Sequence, residues 1–255
     1  MYKRQIQNST EQLDLKITLE PFTDFIIDLT ANRRFTDNQS LYFKNFSKPG
    51  EDVNITHGLA REFGSYEISY FALNTLFDNT ESLFDRFLAN RVIISNILGD
   101  GQHLFDTDDD PNNNIDFTNG FGRTQQNVLL PAFISAYTDS DPAQEVAAAA
   151  NIDPVDPDGF NFVTDVLFEL TPKINWQLNY RGLSKVGFFE KYFSSFNVTH
   201  GYQSTLQVNS FITNQQFLET NQINESTGNF ITKFEVPELV LNEAFVPLLG
   251  LCSTA

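Results

Sequence analysis

The acidic run Asp106-x-Asp108-x-Asp110 is the first place where side-chain spacing could do chemistry, because alternating Asp residues open calcium-binding loops of the EF-hand type. The sixth position of such a loop is Pro111 here rather than Gly, and the twelfth is Phe117 rather than Glu. The sharp turn and the bidentate ligand of that motif are therefore missing. The run is either a weak external Ca²⁺ site or a solvated acidic loop.

Histidine and cysteine side chains are scattered along the chain. His57, His103 and His200 share no ligand spacing, and Cys252 has no histidine near it in sequence. His200 lies on the apolar side of an alternating segment, which favours a packing or interfacial role. The chain has none of the common catalytic motifs, and we expect a non-enzymatic protein without a cofactor or metal.

Composition excludes some classes of partner. The chain has 255 residues, with 16 Lys and Arg against 33 Asp and Glu, which gives a net charge of −17 at neutral pH. Such an acidic surface repels phosphate, so we expect no nucleic-acid binding. Phe is very common, with 26 residues, although the mean hydropathy is −0.26. This combination predicts aromatic faces that alternate with polar ones.

Alternation of apolar and polar residues predicts strands along most of the chain. Residues 13–19 and 25–36 alternate on either side of a short turn, which indicates a hairpin. Apolar residues at three- and four-residue steps predict a helix over 81–98, which Gly99 ends. Further strands are predicted at 66–70, 174–181, 196–209 and 230–236, with the start of another at 237–250.

The segment 99–165 differs from the rest of the chain in charge. It holds 13 Asp or Glu and one basic residue, Arg123, so its net charge is 1 − 13 = −12. A short apolar patch at 128–137 interrupts it, and 147–150 is expected to form a helical turn. We predict an acidic surface-loop insertion over 99–165.

The strand pattern is compatible with two architectures. Half-apolar strands with aromatic residues at their ends are typical of an outer-membrane β-barrel, and a soluble β-sandwich alternates in the same way. The sequence contains no run of about 18 apolar residues, so it predicts no transmembrane helix. The N-terminus does not have the pattern of a signal peptide. About six or seven strands are fewer than the eight of a small membrane barrel, which is expected for a piece of a larger protein.

The most distinctive segment is 174–211, where a Trp, the run Gly-Leu-Ser-Lys and the run Thr-His-Gly-Tyr occur in that order. With other segments it resembles the C-terminal half of the SprA/Sov family. That family forms the giant outer-membrane translocon of the type IX secretion system, which gliding bacteria also need for motility. The other segments that carry the resemblance are 19–35, 65–77, 128–138 and 240–251.

The resemblance implies a mainly β fold in which 1–255 is one antiparallel segment of a very large transmembrane β-barrel of about 36 strands. Long extracellular loops and a short helical insertion are expected. Folded cargo proteins with a C-terminal targeting domain would pass through the lumen. The implied partners are the remainder of the barrel chain, a PorV-like shuttle barrel, a periplasmic plug and outer-membrane lipid. The implied location is the outer membrane and cell surface of a Gram-negative bacterium.

Alternation also assigns two faces to the strands, and we predict that the apolar face contacts lipid while the polar face lines the lumen. The predicted lipid-facing residues are Phe25, Ile27, Leu29, Trp176, Phe196, Val198 and Tyr202. The predicted lumen-facing residues are Asp28, Thr30, Asn32, Arg34, Asn197, Thr199, Gln203 and Thr205.

Two other functions are open at this point. A cell-surface all-β binding module would use the acidic loops to hold Ca²⁺ or a partner. An all-β hydrolase is the third alternative, although the chain carries no motif for it. The sequence favours a part of a protein-translocation channel.

Overall fold

A computed structural model describes residues 2–45, 55–99, 116–151, 160–185, 187–188, 197–219, 223–224 and 226–247. These residues form a mainly antiparallel β-sheet of eight strands, with a layer of helices against part of one face. The mainly antiparallel β character expected from the sequence is confirmed.

The sheet begins with a long hairpin of strands β1 (Tyr2–Phe22) and β2 (Phe25–Asn45), each 21 residues long. The two strands pair antiparallel, with Ile17 opposite Leu29. Asp24 in the turn has a φ of 66°, in the left-handed region that Asp tolerates in tight turns. The predicted hairpin is confirmed, and its strands extend well beyond the predicted bounds.

The next ribbon of the sheet is built from two strands that lie end to end. Strands β4 (Arg61–Ser69) and β5 (Asn175–Tyr180) both pair with β2 on one side and with β6 on the other. Lys173 N donates to Ser69 O at 2.9 Å, and Ser69 Oγ donates to Lys173 O at 2.8 Å. The chain therefore leaves the sheet after Ser69 and re-enters it at almost the same point.

The remaining strands complete an antiparallel sheet with two outer edges. Strand β6 (Val198–Thr213) pairs on its far side with β7 (Phe234–Glu235) and β8 (Leu239–Val246), and β3 (Ile55–His57) pairs with the end of β2. Within the described residues, β1 pairs with β2 alone and β8 pairs with β6 alone. The strands predicted within 174–181 and 196–209 are found as β5 and β6, whereas 230–236 contributes only the two residues of β7.

Most of the helices lie, in sequence, between β4 and β5, the two strands of the interrupted ribbon. They are α1 (Thr80–Leu98), α2 (Gln126–Thr138), α3 (Pro142–Glu145) and α4 (Phe162–Asp165), and α5 (Gln215–Glu219) follows β6. Short 3-10 turns lie at Leu73–Thr75, Ala147–Asn151, Leu167–Glu169 and Gly182–Lys185. The part of the chain that the structure describes holds no helix long and apolar enough to cross a membrane.

Helix α1 matches its prediction. Asn79 caps its N-terminus, where the side chain accepts a hydrogen bond from Glu81 N at 2.9 Å. Gly99 is the C-terminal cap, as expected. The three- and four-residue apolar spacing therefore identified this helix correctly.

The expectation of a surface loop over 99–165 is wrong for the residues described there. Helix α2 lies in this segment and is almost wholly buried, with Val128, Ala132 and Ala136 fully inaccessible to solvent. The apolar patch at 128–137 is not an interruption of a loop but the buried part of α2. The turn expected at 147–150 is confirmed as a 3-10 turn. The Asp106–Asp110 run lies outside the described residues.

The core lies between the helical layer and the half of the sheet farther from the β1–β2 turn. The sheet contributes buried side chains such as Ile68 and Leu206, and the helices contribute others such as Ile94 and Phe162. Arg33 joins the two layers, because its Nη2 donates to Phe168 O at 2.8 Å. Its guanidinium also lies 5.6 Å from the ring centre of Tyr66, a cation–π contact.

Gly64 permits a close approach of three strands, and this gives a first prediction. A Cβ at Gly64 would lie 1.8 Å from Thr36 O and 2.9 Å from Phe211 Cε1. We expect Gly64→Ala to lower the free energy of unfolding by about 1–3 kcal/mol through overpacking. Chemical denaturation measures this, with Gly58→Ala as the control, because a Cβ there meets no atom closer than 3.8 Å. Equal stability of the two variants would contradict the packing described.

Candidate functional site

The two faces of the sheet differ sharply in polarity, and strand register shows which residues share each face. One row crosses the sheet from Ile17 through Leu29, Trp176 and Tyr202 to Phe245. Rows on either side of it belong to the same face, because side chains alternate along each strand. This face is called the apolar face below, and the opposite one the polar face.

Near the β1–β2 turn, the apolar face is exposed. Five large apolar side chains of β1 point from it with 40–56% of their surface accessible: Leu13, Leu15, Ile17, Leu19 and Phe22. From Leu13 to Phe22 the strand rises about 30 Å, which a tilt of about 40° reduces to about 23 Å across a bilayer. This height is close to the apolar band of about 25 Å that surrounds membrane barrels. We call this area the apolar band.

Aromatic and charged groups mark the ends of the apolar band. At the turn, the rings of Phe22, Phe25 and Tyr180 lie 4.8–5.8 Å apart. Lys185 forms an ion pair there with Asp24 in the turn. Aromatic residues at one edge of an apolar band are typical of a membrane interface.

The other end of the band is marked by Arg33, whose Nη1 lies 3.3 Å from Glu11 Oε2. Between this pair and the turn, strands β1 and β2 place only uncharged side chains on the apolar face. The helical layer covers the sheet beyond Arg33.

The structure places all the described residues predicted to face lipid on the apolar face. These are Phe25, Ile27, Leu29, Trp176, Val198 and Tyr202, whereas Phe196 lies outside the described residues. For these residues other than Tyr202, contact with lipid stays a prediction.

Tyr202 departs from its prediction, because only 1% of its surface is accessible. The ring of Phe71 lies 5.6 Å from that of Tyr202 and covers it. The Tyr202 hydroxyl accepts a hydrogen bond from Ala72 N at 2.8 Å and donates to Glu243 Oε1 at 2.8 Å. Tyr202 is therefore an anchor for the start of the helical insertion rather than a residue that faces lipid.

The residues predicted to face a lumen also share one face. In register, Asp28, Thr30, Asn32 and Arg34 of β2 lie on the polar face with Thr199, Gln203 and Thr205 of β6, and Asn197 precedes β6. Whether water or cargo contacts this face stays a prediction.

A ladder of polar side chains crosses the polar face from β2 to β8, and sequence analysis did not find it. Glu67 accepts from Asn32 Nδ2 at 3.3 Å and from Gln207 Nε2 at 2.8 Å. Gln207 Oε1 accepts in turn from Asn242 Nδ2 at 3.3 Å. The polar positions of each strand were visible in the sequence, but their neighbours depend on register. Both oxygens of Glu67 are occupied, so this carboxylate holds the face together.

The titratable side chains of the described residues are dispersed. No group of three or more His, Cys, Asp or Glu within this part of the chain could hold a metal ion. The Nδ1 atom of His200 lies 2.9 Å from Val246 O, and its ring packs at 5.4 Å against Phe245. His103 and Cys252 lie outside the described residues.

Burial perturbs the carboxyl of Glu145 in the helical layer. It ends α3, and its Oε1 accepts a hydrogen bond from Ser140 Oγ at 2.6 Å. Burial raises the pKa of the Glu145 carboxyl above its ordinary value, and the hydrogen bond from Ser140 opposes part of that rise. The ionised form is therefore disfavoured in the folded protein.

This pKa shift predicts a dependence of stability on pH. The folded state holds the proton of Glu145 more tightly than the unfolded state, so ionisation destabilises the fold as pH rises through the raised pKa. We expect Glu145→Gln to unfold at a higher temperature than the parent at about pH 8 and at the same temperature at about pH 4. Thermal scans at both values measure this. A constant difference at both pH values would contradict a titration effect.

The anchor at Tyr202 gives a further prediction. Tyr202→Phe removes the acceptor of the Ala72 N–H and leaves this buried donor unpaired. We expect a loss of about 1–3 kcal/mol in the free energy of unfolding. The control is Tyr42→Phe, because Tyr42 is 46% exposed and should change stability little. Equal losses in the two variants, measured by denaturation, would refute the anchor.

Comparisons with known proteins add no family to these observations. The chain matches no family model, and it matches no curated protein sequence at a significant level.

Proposed function

We propose that this chain is part of an outer-membrane protein-translocation channel of the SprA/Sov type. The observation that carries the proposal is the exposed apolar band, which is backed by a continuous polar face. A sheet with one lipid-compatible face and one hydrated face is what a membrane channel wall requires. The channel would serve type IX secretion and gliding motility, as the resemblance implies.

Exposing the apolar band to water costs free energy. Monomeric soluble proteins rarely expose large contiguous apolar patches. Here five large side chains of one strand are about half exposed on the same face. Lipid would cover them without a further protein layer. The approximate match between the height of the band and a bilayer supports this environment.

The polar face has the character of a lumen lining. It presents amides, hydroxyls and hydrogen-bonded carboxylates such as Glu67, which accepts from Asn32 and Gln207. Such a wall offers hydration and few apolar contacts, so a folded cargo protein would pass without sticking. The cargo and the shuttle barrel are proposed from the resemblance alone.

The outer edges of the sheet support a larger assembly. In the described residues, the outer side of β1 carries no paired strand along its length from Tyr2 to Phe22. Inside a bilayer, each backbone N–H and C=O group needs a hydrogen-bonding partner. We propose that further strands of the barrel pair with β1 and with β8.

Two neighbouring substitutions test the membrane environment. Ile17 lies in the middle of the apolar band, whereas Thr18 lies on the polar face, where it donates to Asp28 Oδ1 at 2.5 Å. In a bilayer, Ile17→Arg should cost about 2–4 kcal/mol and Thr18→Arg little. We would introduce each change into the gene in the source bacterium. The amount of the protein in washed outer membranes and the amount of cargo in the medium are then measured.

The proposed function predicts that Ile17→Arg lowers both amounts and that Thr18→Arg preserves them. In a protein surrounded by water, Ile17→Arg would be tolerated as well as Thr18→Arg, because Ile17 is already 40% exposed. Normal membrane levels and export with Ile17→Arg would therefore overturn the proposal. Loss of the protein from membranes without loss of export would refute the translocation role alone.

A further inference from the structure

A second site lies at the far end of the sheet, away from the apolar band. The end of β6, the N-terminus of α2 and the residues around β7 surround a cleft of about 260 Å³. The cleft lies about 35 Å along β6 from the row of Trp176 and Tyr202. None of its lining residues belongs to the apolar band or to the polar ladder around Glu67.

The lining of the cleft is rich in amides and hydroxyls that are already fixed in place. Asn229 Oδ1 accepts from Gly122 N at 2.8 Å, and Asn229 Nδ2 donates to Thr124 Oγ1 at 3.1 Å. Both polar atoms of the Gln126 side chain are bonded: Nε2 donates to Phe234 O and Oε1 accepts from Val236 N, each at 2.8 Å. The polar groups of the cleft are thus preorganised, which lowers the cost of binding.

One buried acceptor in the lining lacks a donor. Gln125 is only 3% exposed, and its Nε2 donates to Phe230 O at 3.3 Å. Its Oε1 is buried and accepts no hydrogen bond from the described residues. A buried unpaired acceptor costs free energy that a ligand donor would recover. The Gln125 side chain makes no capping hydrogen bond to the first turn of α2.

The chemistry of the cleft identifies the class of ligand. A ligand that pairs with Gln125 Oε1 has to carry a hydrogen-bond donor, which a hydroxyl group supplies without a charge. None of the described lining residues is cationic, and Glu235 adds a negative charge at the rim, so an anion is disfavoured. Phe230, which is partly exposed, offers an aromatic surface for apolar C–H groups. A neutral ligand that carries both hydroxyl groups and apolar C–H groups has the chemistry of a sugar ring.

We propose that this cleft binds a neutral sugar residue of a glycan. Its volume is below the ~300–1,000 Å³ of pockets for drug-sized ligands, which suits a single ring. The carboxylate of Glu235 accepts from sugar hydroxyls, and Gln125 Oε1 accepts from another. The inference does not depend on the membrane location, because the cleft is separate from the apolar band.

Saturation-transfer NMR on the full chain tests the site. The probes are D-glucose, D-galactose, D-mannose and N-acetyl-D-glucosamine, with D-glucuronate as the anionic comparison and trialanine as the peptide comparison. Any detergent used has to lack a sugar headgroup, and lauryldimethylamine oxide meets this condition. We expect saturable transfer to at least one neutral sugar and weaker transfer to glucuronate and trialanine.

Variants locate the binding. Gln125→Leu and Glu235→Ala should each weaken binding by about tenfold, since each removes one hydrogen-bond acceptor for the ligand. Glu235 is exposed, so its variant should fold even if the Gln125 variant does not. Gln144→Leu, at an exposed position on α3, should bind like the parent. No transfer to any neutral sugar, preference for glucuronate or trialanine, or binding unchanged by Glu235→Ala would each overturn the proposal.

Discussion

The structure depends on the junction where Ser69 meets Lys173. The reciprocal hydrogen bonds between these residues join β4 to β5 as one ribbon, although the chain between them forms most of the helical layer. Because both parts pair with β2 and β6, the two ends of the insertion are fixed in the middle of the sheet. Because its two ends are fixed side by side, the insertion folds back onto the sheet next to the point where the chain leaves it. Tyr202 and Arg33 then hold it there through Ala72 and Phe168.

This arrangement divides one apolar face into two environments. Beyond Arg33 the apolar side chains of the sheet, such as Tyr66 and Ile68, are buried under helices. Between Arg33 and the β1–β2 turn, the same alternation continues on β1, where Ile17 and Leu15 are about half exposed. Period-two hydrophobicity alone cannot distinguish a core from a lipid-facing surface, since both remove the same side chains from water. The boundary is set by where the insertion ends, which is a property of the tertiary structure.

Local periodicity predicted the elements whose contacts are close in sequence. The β1–β2 hairpin and α1 were identified from alternation and from three- and four-residue spacing, and Gly99 was recognised as the end of α1. Helix α2 was missed, because its apolar run is short and lies in an acidic segment. The continuity of β4 with β5, the burial of Tyr202 and the partners of Glu67 involve residues distant in sequence. Such contacts depend on the register between strands, which a single sequence does not determine directly.

The placement of the insertion also constrains how the protein would sit in a membrane. The tight β1–β2 turn lies at one end of the apolar band, whereas the helical layer and the amide-lined cleft around Gln125 lie toward the other end of the sheet. Outer-membrane barrels have short turns on the periplasmic side and long segments on the external side. If the apolar band lies in the bilayer, the turn at Asp24 faces the periplasm and the cleft faces outward. The cleft would then lie on the side of the membrane where cell-surface glycans are found, which is where a sugar-binding site would meet its ligand. This placement requires no contact between the cleft and the channel.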